Sequence, residues 1–189
     1  MTAPWNTLPS LILLAALAAL AVLVFWRVRV DYRSRGQLSR PVAVLQFAYF
    51  AAYAMSSYAF LDSRLAHIAA RGWLLAAAIL LLAGGLAIVL FSMPFLGRRS
   101  FGNVTGRLYT DGLYHYSRNP QLVGFLLFIA GYALLWPSWQ GAAWVGLWFV
   151  FTPLMVWGEE KHLQDIFGEE YRAYCRRTPR FLGLPRSDE

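Results

Sequence analysis

From Leu8 to Trp26 the chain runs through Leu, Ala, Ile and Val without one charged side chain. A bilayer core needs about 20 such residues in helical form, because a helix satisfies its own backbone hydrogen bonds where water is absent. The arginines come after this stretch, at Arg27, Arg29, Arg33, Arg35 and Arg40. A cleaved signal peptide would carry its basic residues before the apolar run. The order predicts a retained membrane helix with its N-terminus outside.

Four more uncharged stretches follow. One spans Val42 to Leu61, after Pro41. The next, Trp73 to Met93, holds Gly84-Gly85, where another helix can approach closely, and is punctuated by Pro94 and Gly97. The fourth runs from Pro120 to Trp136, and the fifth from Ala142 to Trp157 with Pro153 near its end. Proline removes a helical hydrogen bond and is expected to kink or loosen that last helix. The linker Pro137-Ser138-Trp139-Gln140-Gly141 is short and uncharged, so the last two stretches are predicted to form a tight antiparallel hairpin. Composition agrees with lipid as solvent: charged residues make up 14% of 189, against about a quarter in soluble domains.

Basic residues fix the expected orientation. They cluster after the first stretch, after the third (Arg98, Arg99, Arg107, Arg118), and in the tail (Lys161, Arg172, Arg176, Arg177, Arg180, Arg186). Of the 17, this leaves only Arg64 and Arg71 for the other side, and positive loops stay inside. The expected fold is all-α: a single-domain, polytopic membrane bundle of five transmembrane helices, N-terminus outside and C-terminus cytoplasmic. Residues 1–93 form a three-helix part, and 94–189 a cofactor-binding loop, the hairpin and a cytoplasmic segment. The net charge of +7 sits in loops, where it matches anionic headgroups and not nucleic acid. The single cysteine, Cys175, excludes an intrachain disulfide and a multi-cysteine metal site.

Two constellations carry candidate chemistry. In Gly112-Leu113-Tyr114-His115-Tyr116-Ser117-Arg118-Asn119-Pro120, Asn119 suits an N-cap and Pro120 the first helical position. A helix would start here with free N–H groups beside Arg118. Such an end either binds a carboxylate or phosphate ligand, or simply caps the helix while Arg118 meets a lipid phosphate. The second runs Gly158-Glu159-Glu160-Lys161-His162-Leu163 to Phe167-Gly168-Glu169-Glu170-Tyr171-Arg172. Leu163 and Phe167 share a helical face, and Lys161 and Asp165 are spaced to pair. Its glutamates either accept ribose hydroxyls or a cation, or form a solvated face. His115 and His162 are candidate acids or bases, but two histidines without a third ligand make no metal site. There is no G-x-S-x-G, H-E-x-x-H, P-loop or G-x-G-x-x-G signature.

From Gly106 onward the chain resembles the isoprenylcysteine carboxyl methyltransferase family, in its broad prokaryotic form. The resemblance rests on Leu108-Tyr109-Thr110-Asp111-Gly112-Leu113-Tyr114, Arg118-Asn119-Pro120 with Gly124 and Gly131, Glu159-Glu160, Leu163, Phe167-Gly168-Glu169-Glu170-Tyr171, Tyr174 and Pro179. It implies S-adenosyl-L-methionine as cofactor, with contacts at Leu108, Tyr109, Tyr114, Asn119, Pro120, Gln121, Leu122 and Glu159, and with Arg118 and Glu160 close by. It also implies an integral location, in a prokaryotic inner membrane, and a lipophilic or amphiphilic acceptor, with no nucleic acid or metal partner. The family's eukaryotic Arg-His-Pro-x-Tyr reads Arg118-Asn119-Pro120-Gln121-Leu122 here, the His opening its loop is Gly106, and an arginine turned toward substrate is Met155. The acceptor is expected to slip sideways from the bilayer through a gap opened by Pro153 and lined by Trp148 and Trp157, with Met155 nearby. Two other readings stand beside this one: an NADPH-dependent reductase of the sterol reductase type, and a non-catalytic lipid-binding membrane protein.

The division of basic residues gives a direct test of topology. Cysteines introduced near Arg64 are expected to label from outside, and those near Arg35 or Gly102 are not; the reverse pattern contradicts the orientation.

Overall fold

The computed structural model describes residues 7–61, 67–96 and 108–185. All regular structure among them is helical: α1 (Thr7–Arg35), α2 (Arg40–Phe60), α3 (Gly72–Leu96), a 3-10 turn (Gly112–His115), α4 (Pro120–Leu134), α5 (Trp139–Gly146) and α6 (Trp148–Arg177). Arg64, Arg98, Arg99, Gly106, Arg107 and Arg186 lie outside the described residues.

Local chemistry explains the boundaries. Pro41 and Pro120 occupy first-turn positions of α2 and α4, where a missing N–H costs nothing. Ser138 caps α5 by accepting from Gly141 N at 3.0 Å. α1 continues well past Trp26 to Arg35, because its polar extension packs on α6: the Arg29 guanidinium lies 3.5 Å from the centre of the Trp157 ring, and Tyr32 stacks on His162 at 4.3 Å. The buried Asp31 then accepts from the backbone N and the hydroxyl of Ser39, fixing the turn into α2.

Among the described residues, three helices are long and apolar enough to cross a membrane: Leu8–Arg35, Gly72–Ser92 and the α5–α6 rod, Trp139–Arg177. α4 is apolar but shorter. α2 is less apolar because it carries Tyr49, Tyr53, Ser56 and Ser57, and all four turn inward. The Tyr53 and Trp144 rings stack at 4.9 Å, and Tyr53 Oη and Trp144 Nε1 each donate to the other's carbonyl at 3.1 Å. Trp144 Nε1 also reaches Ser56 Oγ at 3.1 Å. That exchange locks α2 to α5 without an unsatisfied group. Outward faces carry Leu20, Leu23, Val44, Phe47, Leu80, Leu90, Phe91 and Phe149, all exposed, as lipid requires of a bundle surface. The chain is an integral membrane protein.

Pairing differs from the expected hairpin. The main partner of α4 is α3, and α6 packs chiefly on α1, so packing crosses the division expected at residue 93. Glycine decides the first of these contacts. A Cβ on Gly85 would stand 2.6 Å from the Gly124 carbonyl oxygen, and one on Gly131 2.8 Å from the Ala78 carbonyl. Backbones approach this closely only across small residues. Gly84, by contrast, has open space around it. The expected loosening at Pro153 is also absent: α6 keeps helical geometry there, and its interior break is at Gly168, whose φ of 53° suits glycine.

The glycine seam predicts a contrast. Gly124→Val is expected to destabilise the bundle by about 3 kcal/mol, since a side chain there meets backbone that cannot yield. Gly84→Ala is expected to leave the thermal midpoint unchanged or slightly raised, because helical Gly→Ala gains about 0.5–1 kcal/mol. Midpoints measured in one detergent check both.

Candidate functional site

The segment before α4 is folded inward by its 3-10 turn, which buries Tyr114. Its hydroxyl donates to Gln121 Oε1 at 3.3 Å, and the Tyr109 ring meets it edge-on at 5.7 Å. Beyond Gly168 the last part of α6 brings Tyr174, which donates to the Tyr114 carbonyl at 2.6 Å. Tyr171 and Tyr174 pack with Leu108, Leu163 and Phe167 into a small apolar cluster.

Charge ties these pieces together. Glu160 Oε1 lies 2.7 Å from Arg118 Nη1, and its carboxylate takes Arg180 bidentately, at 3.0 Å to Nε and 2.7 Å to Nη2. The Arg118 and Glu160 side chains are only 12% and 13% exposed, so that pair is screened far less than a surface pair, whereas the Arg180 side chain is 53% exposed. The hydrogen bond to Glu160 raises Arg180 above the usual guanidinium range, so it stays charged. The tail then wraps α4's start: Arg118 N donates to the Pro179 carbonyl at 2.9 Å, Asn119 Nδ2 to the Arg180 carbonyl at 3.0 Å, and Thr178 Oγ1 to the His115 carbonyl at 3.3 Å. Phe181 continues to the Trp148 ring, 5.7 Å away.

The structure brings together most of the residues singled out in the sequence. Leu108, Tyr109, Tyr114, Arg118, Asn119, Pro120, Gln121 and Glu160 form one neighbourhood at the start of α4, and Leu122 faces into the main core. Several details differ from expectation. Asn119 occupies the N-cap position, yet its side chain does not cap the helix, because the tail carbonyl claims it. Arg118 meets Glu160 instead of a free anion, although its Nε is buried without a partner. Glu159 and Glu160 part company, as neighbours about 100° apart on a helix must. Glu160 turns to α4 and the tail, while Glu159 lies within electrostatic reach of Tyr32 on α1. Trp148, Met155 and Trp157 do not line one gap. Trp148 and Met155 are buried, whereas Trp157 is 55% exposed under Arg29. Their spacing places the two tryptophans on opposite sides of α6.

Arg180 and Phe181 escaped the sequence reading, which counted Arg180 only as tail charge. No local periodicity reports a tail that folds back onto Glu160. The signals were Pro179, which stops α6 from continuing, and the glycine at the α6 break.

A helical bundle inserted in the membrane, with a charged and aromatic cluster at one end, is the class of protein this geometry defines. The chain belongs to the phospholipid methyltransferase family, whose sequence profile matches residues 73–170, from the start of α3 to the break in α6. It is also 32% identical over 80 residues to protein-S-isoprenylcysteine O-methyltransferase of Schizosaccharomyces pombe, covering 41% of this chain and 33% of that protein. The chain thus matches about a third of that relative's length. No solved structure matches the chain.

Removing Glu160 tests the clamp. Glu160→Ala leaves the largely buried Arg118 without its counter-charge and is expected to cost on the order of 2 kcal/mol. It is also expected to speed tryptic cleavage after Arg180, as the tail detaches. Cleavage at the wild-type rate together with an unchanged thermal midpoint contradicts the role given to this carboxylate.

Proposed function

We propose that this chain is a methyltransferase that uses S-adenosyl-L-methionine to methylate a lipophilic or amphiphilic acceptor at the cytoplasmic face of its membrane. Family membership supports the reading, since the matched residues 73–170 include every candidate cofactor residue. The observation that carries it is the convergence of Tyr109, Tyr114, Arg118, Gln121 and Glu160 at one end of the bundle, with Glu159 on the adjoining face of α6.

The residues present fit the cofactor. Arg118 Nε is a buried donor without a partner beside the N-terminus of α4, an environment suited to a carboxylate. Tyr109, Gln121 and Glu159 are only partly buried and so remain accessible. Tyr109 offers an aromatic face to adenine or a sulfonium, and Glu159 offers a carboxylate to ribose hydroxyls. When bound, the cofactor supplies a methyl group on a positively charged sulfur. The chain's own part is to align the acceptor and exclude water, which requires no metal and draws the rate gain from positioning. A carboxylate or thiolate acceptor needs no general base.

The alternative enzyme reading is an NADPH-dependent reductase, which the match to a methyltransferase family does not favour. Ligand-induced stabilisation separates the readings. S-adenosylmethionine is expected to raise the thermal midpoint and NADPH to leave it unchanged; the opposite result overturns the proposal. Tyr109→Ala and Glu159→Ala are each expected to weaken S-adenosylmethionine binding by about tenfold, or about 1.4 kcal/mol. Tyr114 is a poorer probe, because its burial makes truncation a packing change.

A further inference from the structure

α1 and α6 run side by side in the same direction. Phe25 stacks on Phe151 with 6.3 Å between ring centres, and Tyr32 stacks on His162 further along both helices. Between these rungs Gly158 has no side chain to hold Arg29 away: a Cβ there would stand 3.9 Å from Arg29 Cβ. Arg29 extends across the joint and lays its guanidinium on the Trp157 ring. Its Nε is buried without a partner, and the group makes no ion pair or hydrogen bond with any described residue. The carboxylates closest in sequence point elsewhere, because residues two apart on a helix face roughly opposite ways. Asp31 turns from Arg29 to Ser39, and Glu159 leaves α6 on the flank away from Trp157, toward Tyr32. Among the described residues, an aromatic face alone answers this cation.

The flank that carries Arg29 is open to the bilayer. Helical spacing aligns Val22, Trp26, Arg29 and Arg33 along one side of α1, and Val150 with Trp157 along one side of α6. Val22, Trp26, Val150 and Trp157 are all exposed, so no other described helix covers the groove between them. Arg33 is exposed as well. Lys161, one turn beyond Trp157, is already matched by Asp165 at 2.8 Å. Apolar walls therefore run up to two arginines at the end of the first uncharged stretch, where tryptophans mark headgroup depth.

We propose that the groove between α1 and α6 binds one anionic phospholipid, with its phosphate at Arg29 and Arg33 and an acyl chain along Val22, Trp26 and Val150. Chemistry selects this occupant. A guanidinium offers parallel N–H donors that match two oxygens of a phosphodiester. A zwitterionic head would bring its own cation beside two arginines, and an anionic head brings none. A free phosphate ion would leave the apolar walls unused, whereas a lipid fills both parts of the groove. α1 lies outside the residues matched to the methyltransferase family, so this site does not rest on the functional reading above.

Native mass spectrometry of the full chain in detergent tests this, by the affinity for the first molecule of dioleoylphosphatidylglycerol or dioleoylphosphatidylcholine. The phosphatidylglycerol is expected to bind at least about fivefold tighter, and excess glycerol 3-phosphate is expected not to displace it. Arg29→Gln is expected to weaken phosphatidylglycerol binding by about fivefold, and Arg33→Gln by about twofold or more. Arg172→Gln removes the same charge from an exposed position in the last part of α6 and is expected to leave the affinity unchanged. Equal affinity for the two lipids, displacement by glycerol 3-phosphate, or an equal loss in Arg172→Gln overturns the proposal. So does wild-type affinity in Arg29→Gln or, where that variant does not fold, in Arg33→Gln.

Discussion

Glu160 holds two guanidiniums at once, and the arrangement of the boundary end of the bundle depends on it. Arg118 comes from the approach to α4 and Arg180 from the tail after α6. Without a shared carboxylate between them, these two positive groups would repel, and the tail would rest on its hydrogen bonds to the start of α4 and on Phe181 alone. With it, the tail's carbonyls reach Arg118 N and Asn119 Nδ2. Asn119 and Arg118, expected to serve α4's first turn, thereby hold the chain's own end, with Arg118 Nε left unpartnered. What stays accessible is Tyr109, Gln121 and Glu159.

Two kinds of polar chemistry are separated along the bundle. Ionic groups gather at the arginine-rich end, where Arg29 lies over the Trp157 ring, Asp31 is held by Ser39 and Glu160 by Arg118 and Arg180. Among the described residues the interior carries polar tips on aromatic and hydroxyl side chains, with the Gln46 amide beside Met155. Some are matched within the chain, as in the Tyr53–Trp144 exchange, and some are left open, as at Tyr49 and Thr152.

Much of this was legible in the sequence, because lipid imposes a simple rule on backbone hydrogen bonds. Uncharged runs longer than a bilayer core are helices, and Pro41, Pro120 and Ser138 mark where helices begin. The resemblance carried by Arg118-Asn119-Pro120 and Glu159-Glu160 located the boundary cluster within the family. Pairing was not legible. A helix that is apolar on every side, such as α3, gives no periodicity to say which face is inward, so its close contact with α4 through Gly85 and Gly124 could not be told from a hairpin of the last two stretches. The polar extension of α1 to Arg35 was hidden for the opposite reason: arginines read as loop until Trp157 and His162 are seen to receive Arg29 and Tyr32. The Glu160–Arg180 clamp requires a chain reversal that no local pattern reports.

The central claim is that the boundary cluster transfers a methyl group to a molecule drawn from the bilayer. It is tested most directly by supplying S-adenosylmethionine labelled in its methyl group to membranes containing the chain, then following the label into the organic-extractable fraction. The account predicts label that partitions with lipids, requires the chain, and falls sharply in Glu159→Ala. Label that stays with water-soluble products, or that appears equally without the chain, contradicts it.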